Sequence, residues 1–277
     1  MRGVISAGMV IGLERLGLLD VFDDVYGSSA GALNGAYFVG GKAVFGTSIY
    51  SEEINNRRFI SPWRIAWRPA VDIDFLIDRV LRVTKPLPVD RILASPIPLH
   101  VIVTDVGTAR PRPISSWRDG ESLLRTLRGG ATMPVLAGPP FEVDGMRLWD
   151  PAFFEESVPV APADADGATH ILVLLTRPAG LRRPTLSLFE RLCVVPAIRR
   201  VSPALAAAYV TRDAAYARVM DQVESGRTKG GARILAVRPD GSYVSKLERD
   251  RRRLVAAADD GIRLIEAMFT TGGYLAF

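Results

Sequence analysis

Apolar positions recur along the chain with two different periods. Residues 4 to 19 place apolar and small side chains at helical spacing and end at Gly17 to Asp20, which predicts one helix. VFDDVYG reads as a short strand, and ALNGAYFVGG as a helix closed by Gly40 and Gly41. Residues 42 to 95 are less regular, with Trp63, Trp67, several prolines and one amphipathic piece, VDIDFLIDRVLRV; cap or lid material is expected here. PLHVIVTDV reads as a buried strand and SWRDGESLLRTLRGG as a helix ending in glycine. FEVDGMRLWD reads as a hairpin turning at Asp144-Gly145. THILVLLTRP and ARILAVRP are two further buried strands, and helical patterns run from about 203 to 224 and from about 245 to 269.

In the last pattern Leu247, Leu254, Ala258, Leu264, Ile265 and Met268 share one stripe, while Arg249 and Arg251 to Arg253 face elsewhere. This predicts a core-packing helix with a solvated basic face. Buried strands alternating with helices indicate an α/β layered fold around a largely parallel sheet. No linker divides the 277 residues, so one domain over 1–277 is expected, and an apolar content of 48% is enough for a sizeable core.

Charge and cysteine usage narrow the setting. A net charge of +5 favours anionic partners, but the basic stretches RRFISPWR, LRRP, IRR and ERDRRR are scattered and lack any nucleic-acid-binding motif. Contact with a membrane surface is therefore expected, and no nucleic-acid partner. The N-terminal apolar run resembles a signal peptide only superficially, since Glu14 and Arg15 end it without a cleavage site. No run is long enough to span a bilayer. The single cysteine, Cys193, can form no internal disulfide and, lying in an apolar run, is expected to be buried. A soluble cytoplasmic protein, peripheral to a membrane, is the expectation.

The candidate chemistry begins at YGSSAG. Small residues between a strand and a helix let the backbone turn sharply and expose one side chain at the tip. The G-x-S-x-G spacing of Gly27, Ser29 and Gly31 matches a nucleophile elbow, with Ser29 at its tip. The same serines could instead cap the helix. A serine nucleophile needs a base. His100 and His170 both fall inside predicted strands, and neither is placed for an α/β-hydrolase triad, where histidine follows a late strand. Asp150 ends the hairpin as LWDPAF, where proline restricts the next turn and would hold the carboxylate in one orientation. A desolvated carboxylate can act as general base, and it can equally cap a turn.

Taken in order, these segments resemble the bacterial patatin-like phospholipases. MRGVISAGMVIGLERLGL is similar to the end of that family's glycine-rich oxyanion motif and its helix, VYGSSAGALNGAY to the elbow, and RGGATMPVLAGPPFEVDGMRLWD to the segment leading to the catalytic aspartate. GATHILVLLTRP and several later pieces also resemble this branch. The resemblance implies a three-layer α/β/α fold and a lipid acyl hydrolase with a Ser–Asp dyad, Ser29 as nucleophile and Asp150 as base. It implies that backbone N–H groups at Arg2, Gly3 and Ala30 hold the oxyanion, that no metal or organic cofactor is needed, and that the substrate is a lipid or phospholipid.

Two departures from the family pattern stand out. Asp150 is followed by Pro151-Ala152 where the family usually has Gly-Gly or Gly-Ala, and Glu156-Ser157 stand where an asparagine is often found. Of the oxyanion motif the sequence contains only Arg2-Gly3, and losing one oxyanion donor typically costs about 10²–10³ in rate. Low activity and an unpaired sheet edge near the elbow are therefore expected of the sequence as it stands, with a lipid-binding or scaffold module as the alternative.

Overall fold

The computed structural model describes residues 1–154, 157–181, 185–241 and 244–270. Glu156 and the Arg182-Arg183 pair of LRRP lie outside the described residues. The chain opens with α1 (Gly3–Arg15), β1 (Val25–Ser28) and α2 (Ala30–Val39), then the short helices α3 (Ala43–Gly46), α4 (Ile49–Glu52) and α5 (Val89–Leu93). Next come β2 (Leu99–Asp105), β3 (Arg110–Ile114), α6 (Gly120–Ala131), β4 (Phe141–Val143), β5 (Met146–Trp149) and α7 (Val160–Ala165). It continues through β6 (His170–Leu174), α8 (Val195–Val201), α9 (Pro203–Val210), α10 (Arg212–Ser225), β7 (Arg233–Val237) and α11 (Arg251–Thr270).

Strand β2 organises the sheet. β1 runs parallel to it with Ser28 opposite Ile102, and β3 runs antiparallel to it over Val101 to Asp105. β5 pairs antiparallel through Trp149 opposite Thr104, and β4 pairs with β5. The parallel pairings are β1–β2 and β6–β7; the antiparallel ones come from the return strand β3 and the β4–β5 hairpin. Side chains of a strand alternate between faces. Accordingly Leu99, Val101 and Val103 enter the main core with α2 and α6, while Val106 joins Trp149, Phe154, Ile198 and Tyr209 in a second cluster containing α8 and α9. Helices thus flank the sheet in an α/β/α arrangement.

Helix α1 is apolar all round, with Val4 to Leu13 buried without a break, and such a helix must be enclosed by other elements. Helix α11 encloses it by backbone contact. A methyl group at Gly8 would lie 2.0 Å from the Ala258 carbonyl oxygen, and one at Gly261 would lie 2.3 Å from that of Ile5. The buried stripe of α11 is therefore Leu254, Ala257, Gly261, Ile262 and Ile265, while Ala258, Leu264 and Met268 are half-buried at its margin. Leu247 precedes the helix and is exposed, contrary to its assignment to the stripe.

Several other expectations change. The first helix stops at Arg15, and Gly17 at φ +68° turns the chain. Gly129 and Gly130 lie within α6 and bring it against Leu148 and the backbone of Ile102. The Asp144-Gly145 turn has both φ values positive, +46° and +79°, as a two-residue hairpin requires. β3, with Arg110, Pro111, Arg112 and Pro113, carries no strand pattern; its pairing with β2 creates it. β6 and β7 are half-buried rather than fully buried and form a separate two-stranded sheet. The helical pattern from about 203 to 224 divides at Thr211 into α9 and α10. Cys193 is exposed, because its segment turns the side chain away from the second core cluster.

Much of the stretch from 42 to 95 belongs to the main core: Ile49, Tyr50, Leu76, Ile77, Val80 and Leu81 are buried in the same cluster as α1 and α2. Among the described strands β1 is paired along one edge only, by β2, and β6 only by β7. No helix among the described residues is long and apolar enough to cross a membrane.

The α1–α11 contact predicts that Gly8→Val destabilises the protein by about 1–3 kcal/mol, because the added atoms meet backbone that cannot rotate away. Urea unfolding of the variant against the parent measures this, and an unchanged midpoint would mean that the two helices can separate without loss.

Candidate active site

Strand β1 ends at Ser28, and Ser29 takes φ +53° and ψ −120° before α2 begins at Ala30. A non-glycine residue in this region carries strain of about 1–3 kcal/mol, the signature of a sharp strand-to-helix turn. The turn is closed by Gly27, where a methyl group would lie 2.4 Å from Ala32 Cα and 2.5 Å from its backbone nitrogen. Gly31 is under no such demand, since a methyl group there would meet nothing within 4 Å. Ser28 is buried within β1, so Ser29 is the serine presented at the tip. Ser29 stands at the N-cap position of α2 but makes no side-chain cap hydrogen bond.

The Ser29 hydroxyl instead donates to Asp150 Oδ2 at 2.6 Å. The sheet register accounts for this meeting of residues 121 positions apart. β3 occupies one edge of β2 from Val101 to Asp105, so β1 and β5 share the other edge. They approach from opposite ends, with Ser28 opposite Ile102 and Trp149 opposite Thr104, so both leave the sheet beside Val103. The next residue of each strand is Ser29 and Asp150.

Asp150 is 1% exposed and held on three sides. Its backbone N–H donates to the Thr132 carbonyl at 2.9 Å. Its Oδ1 accepts from the Ala152 N–H at 2.9 Å, capping the turn Pro151–Phe153. Pro151 sits at the first position of that turn, where a missing N–H costs nothing. The capping and base readings of Asp150 are thus compatible: one oxygen caps and the other faces Ser29.

Gly3 and Ala30 lie against each other, a methyl group at Gly3 falling 2.6 Å from Ala30 Cβ. Each opens a helix, so neither N–H has an acceptor within its own helix, and the positive ends of α1 and α2 converge beside Ser29. Arg2 is half-buried at the N-cap position of α1, and its carbonyl accepts from Ile5 N–H at 3.2 Å.

Asn34 was not singled out from the sequence. Its Nδ2 donates to the Gly3 carbonyl and to Ser6 Oγ, both at 3.0 Å, and its Oδ1 accepts from Tyr50 at 3.2 Å. Burial raises the Tyr50 phenol above its ordinary value, keeping it a neutral donor. The available signal was an amide inside the otherwise apolar ALNGAYFV, because a buried amide must find partners.

The histidines sit elsewhere. His100 Nε2 is 2.7 Å from Asp24 Oδ1 and its ring stacks on Tyr26 at 4.1 Å. Burial and then the Asp166 hydrogen bond raise the Tyr26 phenol. His170 Nδ1 is 3.1 Å from Thr169 Oγ1.

The sequence has no match among curated proteins. Residues 1–164 match the family model described as Patatin-like phospholipase, a span that contains the elbow, the hairpin and Asp150. The match covers more than half of the chain, which therefore belongs to the patatin-like phospholipase family.

Proposed function

We propose that the protein is a lipid acyl hydrolase, a phospholipase or esterase working through a Ser29–Asp150 dyad and an acyl-enzyme. Members of the family are typically lipid esterases. The observation that carries the reading is the 2.6 Å hydrogen bond from the Ser29 hydroxyl, on its strained turn, to the buried Asp150 carboxylate.

In this reading Ser29 Oγ attacks the ester carbonyl as its proton passes to Asp150 Oδ2, already in hydrogen-bond reach. The negative charge that develops on the carbonyl oxygen faces the N–H groups of Ala30 and Gly3 and the positive ends of α2 and α1. Collapse of the tetrahedral intermediate expels the alcohol, which takes the proton from Asp150. A water molecule then gives its proton to Asp150 and attacks the acyl-enzyme, and Ser29 Oγ recovers that proton from Asp150 as the fatty acid leaves. The Ala152 N–H keeps Oδ1 engaged throughout, so Oδ2 remains directed at Ser29. Asn34 acts as a positioning residue, tying the start of α1 to α2.

Two predictions test this. Ser29→Ala removes labelling by a fluorophosphonate probe and lowers hydrolysis of a short-chain nitrophenyl ester by about a thousandfold or more, whereas Ser28→Ala keeps both. Persistent labelling of the Ser29 variant, or its loss in the Ser28 variant alone, would move the nucleophile. Asp150→Asn keeps the cap to Ala152 but removes the base, so kcat falls by about 10²–10⁴ while the circular dichroism spectrum is unchanged. His100→Gln and His170→Gln keep the parent kcat; a folded but inactive histidine variant would replace the dyad with a histidine-dependent mechanism.

A further inference from the structure

The segment RRFISPWRIAWR, residues 57–68, presents Trp63 and Trp67 to solvent at 85% and 71% exposure. The segment is braced: the Arg64 guanidinium donates to the carbonyl oxygens of Arg58, Phe59, Pro69 and Ala70 at 2.7 to 3.2 Å and lies 3.9 Å from Asp72. Arg64 therefore serves the turn, and both indoles are held outward by it. Ile60 and Trp63 line a cavity together with Arg57, Leu247 and Arg249, and Leu247 is also exposed. Arg57, Arg68 and Arg249 are exposed and form no ion pair among the described residues. Two outward indoles ringed by unpaired guanidinium groups match a surface with an apolar interior and an anionic outer layer.

A short series of contacts links this segment to the strand that precedes Asp150. The Val71 N–H donates to the Leu136 carbonyl at 2.9 Å, and a methyl group at Gly138 would lie 3.8 Å from Pro69. The Gly138 carbonyl accepts from the indole of Trp149, the residue before Asp150. Lys246, next to Leu247, places its ammonium 5.8 Å from the ring centre of Phe153, in the turn that follows Asp150. Both sides of the Asp150 turn are thus connected to the aromatic and basic surface.

We infer that the surface of Trp63, Trp67, Leu247, Arg57, Arg68 and Arg249 docks on an anionic phospholipid bilayer, the indoles entering the headgroup layer and the guanidinium groups meeting lipid phosphates. That docking brings lipid to Ser29 rests on the proposed function; the docking itself does not. Charge complementarity selects this occupant over a second copy of the chain, which would set the same three arginines against themselves.

The test is sedimentation with vesicles of phosphatidylcholine alone or mixed with phosphatidylglycerol, using Ser29→Ala protein so that lipid is not consumed. The protein is expected to bind the mixed vesicles more tightly, with affinity falling as salt is raised. Arg57→Glu with Arg68→Glu weakens binding by about tenfold or more. Trp63→Ala with Trp67→Ala weakens it by about tenfold, and on the Ser29 parent leaves hydrolysis of a soluble nitrophenyl ester unchanged. No binding to mixed vesicles, or equal binding by both double variants, overturns the surface while leaving the dyad standing. Binding without ester hydrolysis by the Ser29 parent does the reverse. Concentration-dependent self-association that the tryptophan variant loses, in place of vesicle binding, assigns the patch to a homodimer and also overturns the proposal.

Discussion

The structure depends first on the approach of α2 to β1 at Gly27. With the Ala32 backbone 2.4 to 2.5 Å from where a side chain would begin, the helix starts directly above the strand. The single residue between them has no room for an ordinary conformation. Ser29 absorbs that demand at φ +53°, and the strain is offset by burial of α2, where Leu33, Tyr37, Phe38 and Val39 each contribute about 1.5–3 kcal/mol. The serine at the tip and the packed helix are one device: the burial holds the turn, and the turn holds the hydroxyl.

The second constraint is the shared edge of β2. β1 and β5 use it from opposite ends, so the elbow and the hairpin leave the sheet at neighbouring points. Asp150 reaches Ser29 without a long loop, and its other oxygen is occupied by its own turn. Rigid elements thus set both partners of the pair, which suits a proton transfer over a short hydrogen bond. Behind the pair, Asn34 and Tyr50 fix the start of α1 beside α2, and the Gly8 and Gly261 contacts fix α1 against α11. The enclosed, apolar α1 is therefore both a core element and the platform for Gly3.

How much was legible in the sequence follows from how local each signal is. The elbow, the I′-type hairpin turn at Asp144-Gly145 and the strand LHVIVTD are written in contiguous residues, because turn chemistry and strand periodicity act over a few positions. Ser29 and Asp150 could be nominated for the same reason, each standing where a strand gives way to a constrained turn. Order along the chain then carried the family resemblance, which the match over residues 1–164 supports independently.

What the sequence determined, then, was the identity of the turns and the candidate chemistry at each. Tertiary structure decided the rest wherever one segment's conformation is supplied by another. β3 exists because β2 offers it an edge, and Arg110-Pro-Arg-Pro has no strand tendency of its own. The buried stripe of α11 centres on Gly261 because two glycines let backbones touch, which leaves Leu264 and Met268 at its margin. Cys193 sits in an apolar run yet faces outward, and Leu247 falls outside the helix whose stripe the sequence pattern assigns it to, since burial depends on what lies opposite as well as on the residue itself. The hydrogen bond between Ser29 and Asp150 belongs to the same class, because its length depends on a register set by a third strand, β2, which carries neither residue.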